Sequence, residues 1–437
     1  MNRTLFTTSK LNYVAVFCIA CSFLSGCGRG VNTATVEGRP GLDSVARIIE
    51  SAPGSGRLPS QQIVNSEWAQ PHRNGLHLTE HLAFGADPKE IWSQRLSGRM
   101  QRGRVASMEA LVSDEVVYHL SWDMQLHALD LSSGEQFWRT DLSIARERDA
   151  FGGGIALDKD ILYATTGQGN AHAIDPLSGS IKWTVDLEVP SRAGPLIVDD
   201  LIYATDILGQ VTALGASGEV HWKLAAPQSL TGVMAANTPA GDDQAIYIAR
   251  PDGVLVAVLP NGQEAWRYDM NLLGTTGRLN DSISDVRALP VLDGNAIIAS
   301  SWADRTVALN RGTGQVLWDI PIGGAATPAV TNEYFFMITK DGILRGFDRR
   351  SGLQIWSTVL GGKAHDSQAQ NLGWFGPITA GGRLVVGSNS GELIFADPVN
   401  GEIISRIDIG SAIIAPLSLA NGTLLVSTQD GRLRAFR

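Results

Sequence analysis

One pattern recurs along most of the 437 residues and leaves few folds open to the chain. Alternating apolar positions lead to Ala-Leu or a similar pair, then to Asp or Asn, a turn with Gly, and a strand ending on Trp. The first copies are 125–130 with Gly134 and Trp138, 170–175 with Gly179 and Trp183, and 210–214 with Gly218 and Trp222. The next are 254–258 with Gly262 and Trp266, 305–310 with Gly314 and Trp318, and 343–348 with Gly352 and Trp356. A seventh, 392–397 with Gly401, has Ser405 where Trp is expected. Period-two alternation makes a half-buried strand, and Asp-x-x-(Ser/Thr/Asn)-Gly supplies the left-handed turn position of a hairpin. A second strand pair lies upstream of each copy, as in 196–204, so each unit holds four short strands. That is the makeup of a propeller blade.

The spacing sets the number of blades. Six intervals separate Trp92 from Trp356 and average about 44 residues, so the chain beyond position 85 holds eight units. The C-terminus, 431–436, reads as an eighth inner hairpin strand without its outer partner, and Glu90-Ile91-Trp92 supplies that partner. The expected fold is therefore all-β: an eight-bladed β-propeller of four-stranded antiparallel blades, closed by pairing of N- and C-terminal strands. Such closure removes the exposed sheet edge.

Upstream of the repeat the chain has a different character. Arg3 and Lys10 precede an apolar run from Tyr13 to Leu24, which is the order of a secretory signal and too short to span a bilayer. Leu24-Ser25-Gly26-Cys27 resembles the lipobox of bacterial lipoproteins, which implies cleavage after residue 26 and lipid on Cys27. Gly28, not Asp, at the next position implies the outer membrane, with the body facing the periplasm. Cys18, Cys21 and Cys27 are the only cysteines, so the mature chain has no disulfide framework, thiol nucleophile or cysteine metal cluster. Residues 27–65, rich in Gly, Pro, Ser and Thr, read as a tether with a short helical stretch over 44–49, and 66–437 as the propeller. The net charge of −9 argues against a nucleic-acid partner.

A Trp-ended repeat of this kind resembles the pyrroloquinoline-quinone-type repeat family. With the lipobox, the eight units, the pre-blade segment 68–75 and 81–83, and the run 284–291 with 307–318, the chain is most similar to the BamB family of assembly lipoproteins. The resemblance implies a non-catalytic scaffold, with no cofactor and no metal, in the outer-membrane β-barrel assembly (BAM) complex. It also implies binding to the periplasmic POTRA domains of BamA, beside other members of the complex, as a single propeller. The positions matching the family's contact loops are Ser229, Leu230, Thr231 and Gly232, with Asp285 and Arg287 in the next loop. The family pattern has Arg where Thr231 stands and an acid where Arg287 stands.

Two other functions remain open at this point. A quinoprotein dehydrogenase shares the repeat, but such enzymes resemble one another in stacking the quinone under adjacent cysteines, and none follows Cys27. A polysaccharide- or peptide-binding propeller would use the same projecting loops. His72, His77 and His81 with Glu80 have zinc-like spacing but no helical period to aim them together, so solvated or backbone-bonded histidines are the plainer reading. Gly152-Gly153-Gly154 has no helix after it and reads as a strand entry, not a phosphate loop. His127 and His172 share a repeat position. Seven tryptophans, from Trp92 to Trp356, share another, which points to blade packing. Trp122, Trp302 and Trp374 do not, and are the candidates for exposed contacts; Trp374 falls at the end of a long inter-strand loop.

Overall fold

The computed structural model describes residues 61–100, 109–144, 152–226, 237–270, 288–302, 305–324, 326–361 and 373–437. Eight sheets follow one another, each of four antiparallel strands, in sequence order in the first seven, and the seventh carries one extra strand in parallel. Blade one is typical: Leu111–Ser113 innermost, then Val116–Leu120, Gln125–Asp130 and Gln136–Asp141 outermost. Blades two to seven begin at Gly153, Leu196, Ala240, Val291, Ala329 and Trp374. Blade eight takes Ser418–Ala420, Thr423–Thr428 and Arg432–Phe436 from the C-terminus, and Glu90–Arg95 pairs antiparallel with Arg432–Phe436 as its outer strand. The all-β, eight-bladed ring closed by both termini is thus the fold the repeat dictates.

Burial follows strand position. The second and third strands of a blade are covered on both faces by neighbouring blades and read as apolar runs, such as Val386 and Ile394, both inaccessible. Outer strands alternate: in Gln136–Asp141 only Trp138 and Thr140 turn inward. The second-strand tyrosines 118, 163, 203 and 247 each lie about 6 Å, ring to ring, from the Trp two strands away.

The repeat's tryptophan joins one blade to the next. The indole Nε1 of Trp92 donates to the Leu131 carbonyl of blade one at 2.8 Å, and Trp138 to Pro176 of blade two at 3.0 Å. Trp183, Trp222, Trp266, Trp318 and Trp356 repeat this contact with Ala216, Pro260, Arg311, Arg349 and Pro398. Each indole also lies against the turn glycine of the blade it enters. A Cβ on Gly134 would sit 2.7 Å from the Trp92 ring, and its φ of +72° further excludes a side chain. In five of these seven turns an Asp or Asn four residues earlier sets the turn: Asp130 Oδ1 accepts the Ser132 and Ser133 amides at 3.0 and 2.7 Å. One junction, between blades seven and eight, carries Ser405 and has no such lock.

Candidate functional site

Antiparallel order gives the ring two unlike faces. The turns after the first strand of every blade, and after the third in blades one to seven, emerge on one; the turns after the second strand, and the strand ends that lead to the next blade, lie on the other.

The first face is strapped. The chain from Ile63 to Leu82 runs around the axis and meets the end of each inner strand in turn. Asn65 bonds to blade eight through Leu419 and Asn421. Trp68 exchanges both backbone hydrogen bonds with Val112 of blade one, at 2.8 and 3.0 Å, and Ala69 accepts from Leu157 of blade two at 2.7 Å. The Gln70 amide pairs with both backbone groups of Ile197 in blade three, at 3.0 and 3.1 Å. Gly75 and Leu76 accept from Gly241 and Leu292 of blades four and five at 2.7 and 2.9 Å. Leu78 packs on the cluster of Val330 and Phe335 in blade six, and His81–Leu82 pairs in parallel with Thr379 and Ala380 of blade seven. Four non-glycine residues, His72, Arg73, His77 and Glu80, have left-handed φ between 54° and 84°. That conformation persists only where surrounding contacts dictate it.

Beneath the strap lies a buried polar group. Trp68, fully inaccessible, donates its indole N–H to Glu109 Oε1 at 2.6 Å, and the His72 amide donates to Oε2 at 2.9 Å. Burial pushes the Glu109 carboxyl up to about 8, against the pull of those two bonds. Burial also lowers His72 to about 3, helped by the nearby His77, and His77 to about 4, opposed by its bond to Pro290. The pair therefore stays neutral, ring centroids 6.3 Å apart, with His77 Nδ1–H donating to the Pro290 carbonyl at 2.8 Å. His81 accepts the Gly382 amide at Nε2, 2.9 Å away. The histidines are thus backbone-bonded or packed, and all three are buried, so the solvated reading is corrected: the strap covers them. Among the described residues no group of three His, Cys, Asp or Glu side chains is placed to hold a metal ion.

Ser229, Leu230, Thr231, Gly232, Asp285 and Arg287 lie outside the described residues, as do Cys27 and 44–49. The residues flanking those two loops are described, and sequence reasoning overlooked what holds them. Arg250 of blade four is 3% exposed and donates to the Ala225 carbonyl of blade three at 3.3 Å. Arg305 of blade five forks onto Asp319 at 3.0 and 2.7 Å and donates to Tyr268 Oη and the Met270 carbonyl of blade four, both at 2.8 Å. Each guanidinium fixes the end of the outer strand just before one of the loops. Planar, multidentate donors suit that task. Arg305 opens a strand where other blades have Gln125 and Asn170, and Arg250 follows a strand where they have Ser121 and Asp206; those two substitutions in the repeat were the available signal.

Other singled-out residues serve the blades. Gly153 and Gly154 open a strand, and a Cβ on Gly154 would lie 2.1 Å from the Gly194 nitrogen of the neighbouring blade. His127 and His172 bond across their hairpins to Gln136 and Thr184 at 2.9 and 3.0 Å. Trp122 donates to Gly98 at 2.9 Å and packs with Met100 and Ile414. Trp302 is partly exposed. Trp374, a candidate for an exposed contact, begins a strand, is 5% exposed and backs onto Gly342.

Fold and repeat together define a Trp-locked, eight-bladed propeller of the quinone-type repeat class. Within that class, the family described as outer membrane protein assembly factor BamB matches residues 123–358 and 340–437, and the chain belongs to it. Among curated relatives, BamB of Moranella endobia is 22% identical over 358 residues, covering 80% of this chain and 90% of the relative. BamB of Burkholderia pseudomallei is 25% identical over 357 residues, covering 80% and 88%. The crystal structure of BamB from Moraxella catarrhalis superposes with a TM-score of 0.67 at 20% identity, over 80% of this chain and all of that one. Quinohemoprotein alcohol dehydrogenase from Comamonas testosteroni superposes with a TM-score of 0.65 at 14% identity, over 85% and 80%. Both structural likenesses concern the fold alone.

Proposed function

We propose that this chain is a non-catalytic scaffold lipoprotein of the BAM complex, anchored in the outer membrane through Cys27. It binds the POTRA domains of BamA through Ser229–Gly232 and through Asp285 with Arg287, and so assists folding and insertion of outer-membrane proteins. The family match carries the assembly role. The observation that favours these positions is the pair of buried arginines, Arg250 and Arg305, fixing the two consecutive strand ends from which the chain leads to them. Consecutive blades are spatial neighbours, so two such loops present one composite surface. An apolar anchor, Leu230, beside a charge, Asp285, has the makeup of a hot spot with its rim.

Against a quinone-dependent activity stand the absence of any cysteine after Cys27 and the strap across one end of the axis. Two experiments test the proposal. Mass spectrometry of protein from the native host is expected to show diacylglyceryl-modified Cys27 at the mature N-terminus; unmodified Cys27 contradicts the anchor. Titration with pyrroloquinoline quinone and Ca²⁺ is expected to leave the melting temperature unchanged, because a ligand that binds only the folded state raises it. A saturable upward shift would restore the enzyme reading.

A further inference from the structure

We propose that residues 63–89 act as a clasp that closes the junction between blades seven and eight, and that the inner-strand ends of the strapped face form a peptide-binding groove for that extended segment. Seven junctions are held by a tryptophan seated on the turn of the next blade. The eighth cannot be held in this way. The third and fourth strands of blade eight come from opposite ends of the chain. No turn joins them, so neither the receiving carbonyl nor the glycine exists. Ser405 at the lock position fits that loss.

The clasp meets itself at this same junction. The Ile63 amide donates to His81 at 2.9 Å and the Ala83 amide to Ile63 at 2.8 Å, forming a parallel bridge between Ile63 and Leu82. Asn65 holds blade eight, with its side-chain amide 2.6 Å from the Leu419 carbonyl and its own carbonyl 2.8 Å from the Asn421 amide. Leu82 holds blade seven through Ala380. Beyond Ala83 the chain turns outward toward the rim. The Arg383 guanidinium donates to the Gly85 and Ala86 carbonyls and lies over the rings of Phe395 and Phe84, 4.8 and 5.9 Å from their centroids. Lys89 and Arg437 then exchange backbone hydrogen bonds at 2.9 and 3.0 Å.

Main-chain pairing supplies the attraction and two buried side chains, Leu82 and Phe84, supply the register, which is the logic of strand addition by an extended peptide. Within the clasp, Asn65 grips blade eight and Leu82 grips blade seven. It seats fully only when blades seven and eight are adjacent, and seating then opposes their separation. Its four left-handed residues mean that it takes this shape on the ring and not alone.

Hydrogen exchange on the full chain tests the clasp. Leu82→Ala, or the milder Asn65→Ala should the first not fold, is expected to speed exchange at least tenfold in Ile403–Asp408 and Thr423–Phe436. Leu201–Thr205 and Ile246–Ala249 are expected to stay at parent rates. Acceleration spread evenly over all eight blades, or confined to Trp374–Ala380, overturns the proposal. A second arm inserts a protease site after Ala86 and cuts the folded protein. The released end is expected to stay bound through gel filtration and to exchange with excess synthetic peptide 61–86. A fragment lost at once from a ring that keeps the parent's melting temperature overturns it equally.

Discussion

The two faces of this ring are built on different principles. On the strapped face every turn is short, and one segment of about twenty residues contacts all eight blades by backbone bonds and buried side chains. On the other face the blade-to-blade connections differ in length, and buried arginines grip the strand ends before the loops of blades three to five. The first arrangement suits holding a ring closed; the second suits presenting variable loops from a fixed base. Changes on one face should therefore alter stability and spare binding, and changes on the other should do the reverse.

The largest effect is expected from Trp68→Ala. It removes a fully buried indole from the strap and leaves Glu109 without one of its two donors. A loss of about 4 kcal/mol in unfolding free energy follows from large-to-alanine substitution in a packed interior. Denaturant melts measure it, and the folded variant should bind POTRA domains as the parent does.

Next comes Leu230→Glu, at the proposed contact. It should weaken POTRA binding by about 2 kcal/mol, roughly thirtyfold in Kd, by burying an unpaired charge at an apolar anchor. Calorimetry reads the affinity, and the melting temperature should not move. A stability loss here would break the separation between the faces.

A smaller effect is expected from pH, and it belongs to the blades and the strapped face. His72, His77, His119 and His172 are all held neutral in the folded state, lowered by burial to about 3, 4, 3 and 4. In the unfolded chain they take up protons below about 6.5, so stability falls as pH drops from there toward 4. Glu109 acts in the opposite sense. It stays protonated up to about 8 when folded but ionises above about 4.5 when unfolded, so it lowers stability as pH rises between those values. Through pH 6.5 four histidines outweigh one carboxyl; above about 7 Glu109 outweighs them. The melting temperature should peak near pH 7 and decline toward 8, and Glu109→Gln should flatten that decline. The smallest effect is expected from Asp285→Lys, a severalfold slower association with little change in dissociation, seen by surface plasmon resonance at low salt.

The faces also differ in how far the sequence discloses them. Blade number, strand order, closure by both termini and the packing role of seven tryptophans all follow from a repeat, because each copy states the same local chemistry again. The strap is not a repeat. Its residues bond to strands of seven blades and pack on the remaining one, and its left-handed positions fall on His, Arg and Glu, with nothing in their order to announce the turns. Zinc-like spacing in 72–81 came from that irregular path: His72 and His77 share the axis, while His81 belongs to the pairing with blade seven. The candidacy of Trp374 has a related cause, since it stands outside the repeat's lock position and follows a long segment, while the strand that it begins is buried almost throughout. Arg250 and Arg305 act through main-chain carbonyls of the preceding blade, a contact visible only once the blades are in place.

Binding by the double variant Leu230→Glu, Asp285→Lys measures the central claim most directly. Folded double variant and parent are titrated, in one buffer, against the isolated POTRA domains of BamA. The account predicts a parent that binds, and a double variant that keeps the parent's melting temperature and loses at least thirtyfold in affinity. Undiminished binding by the folded double variant would contradict it.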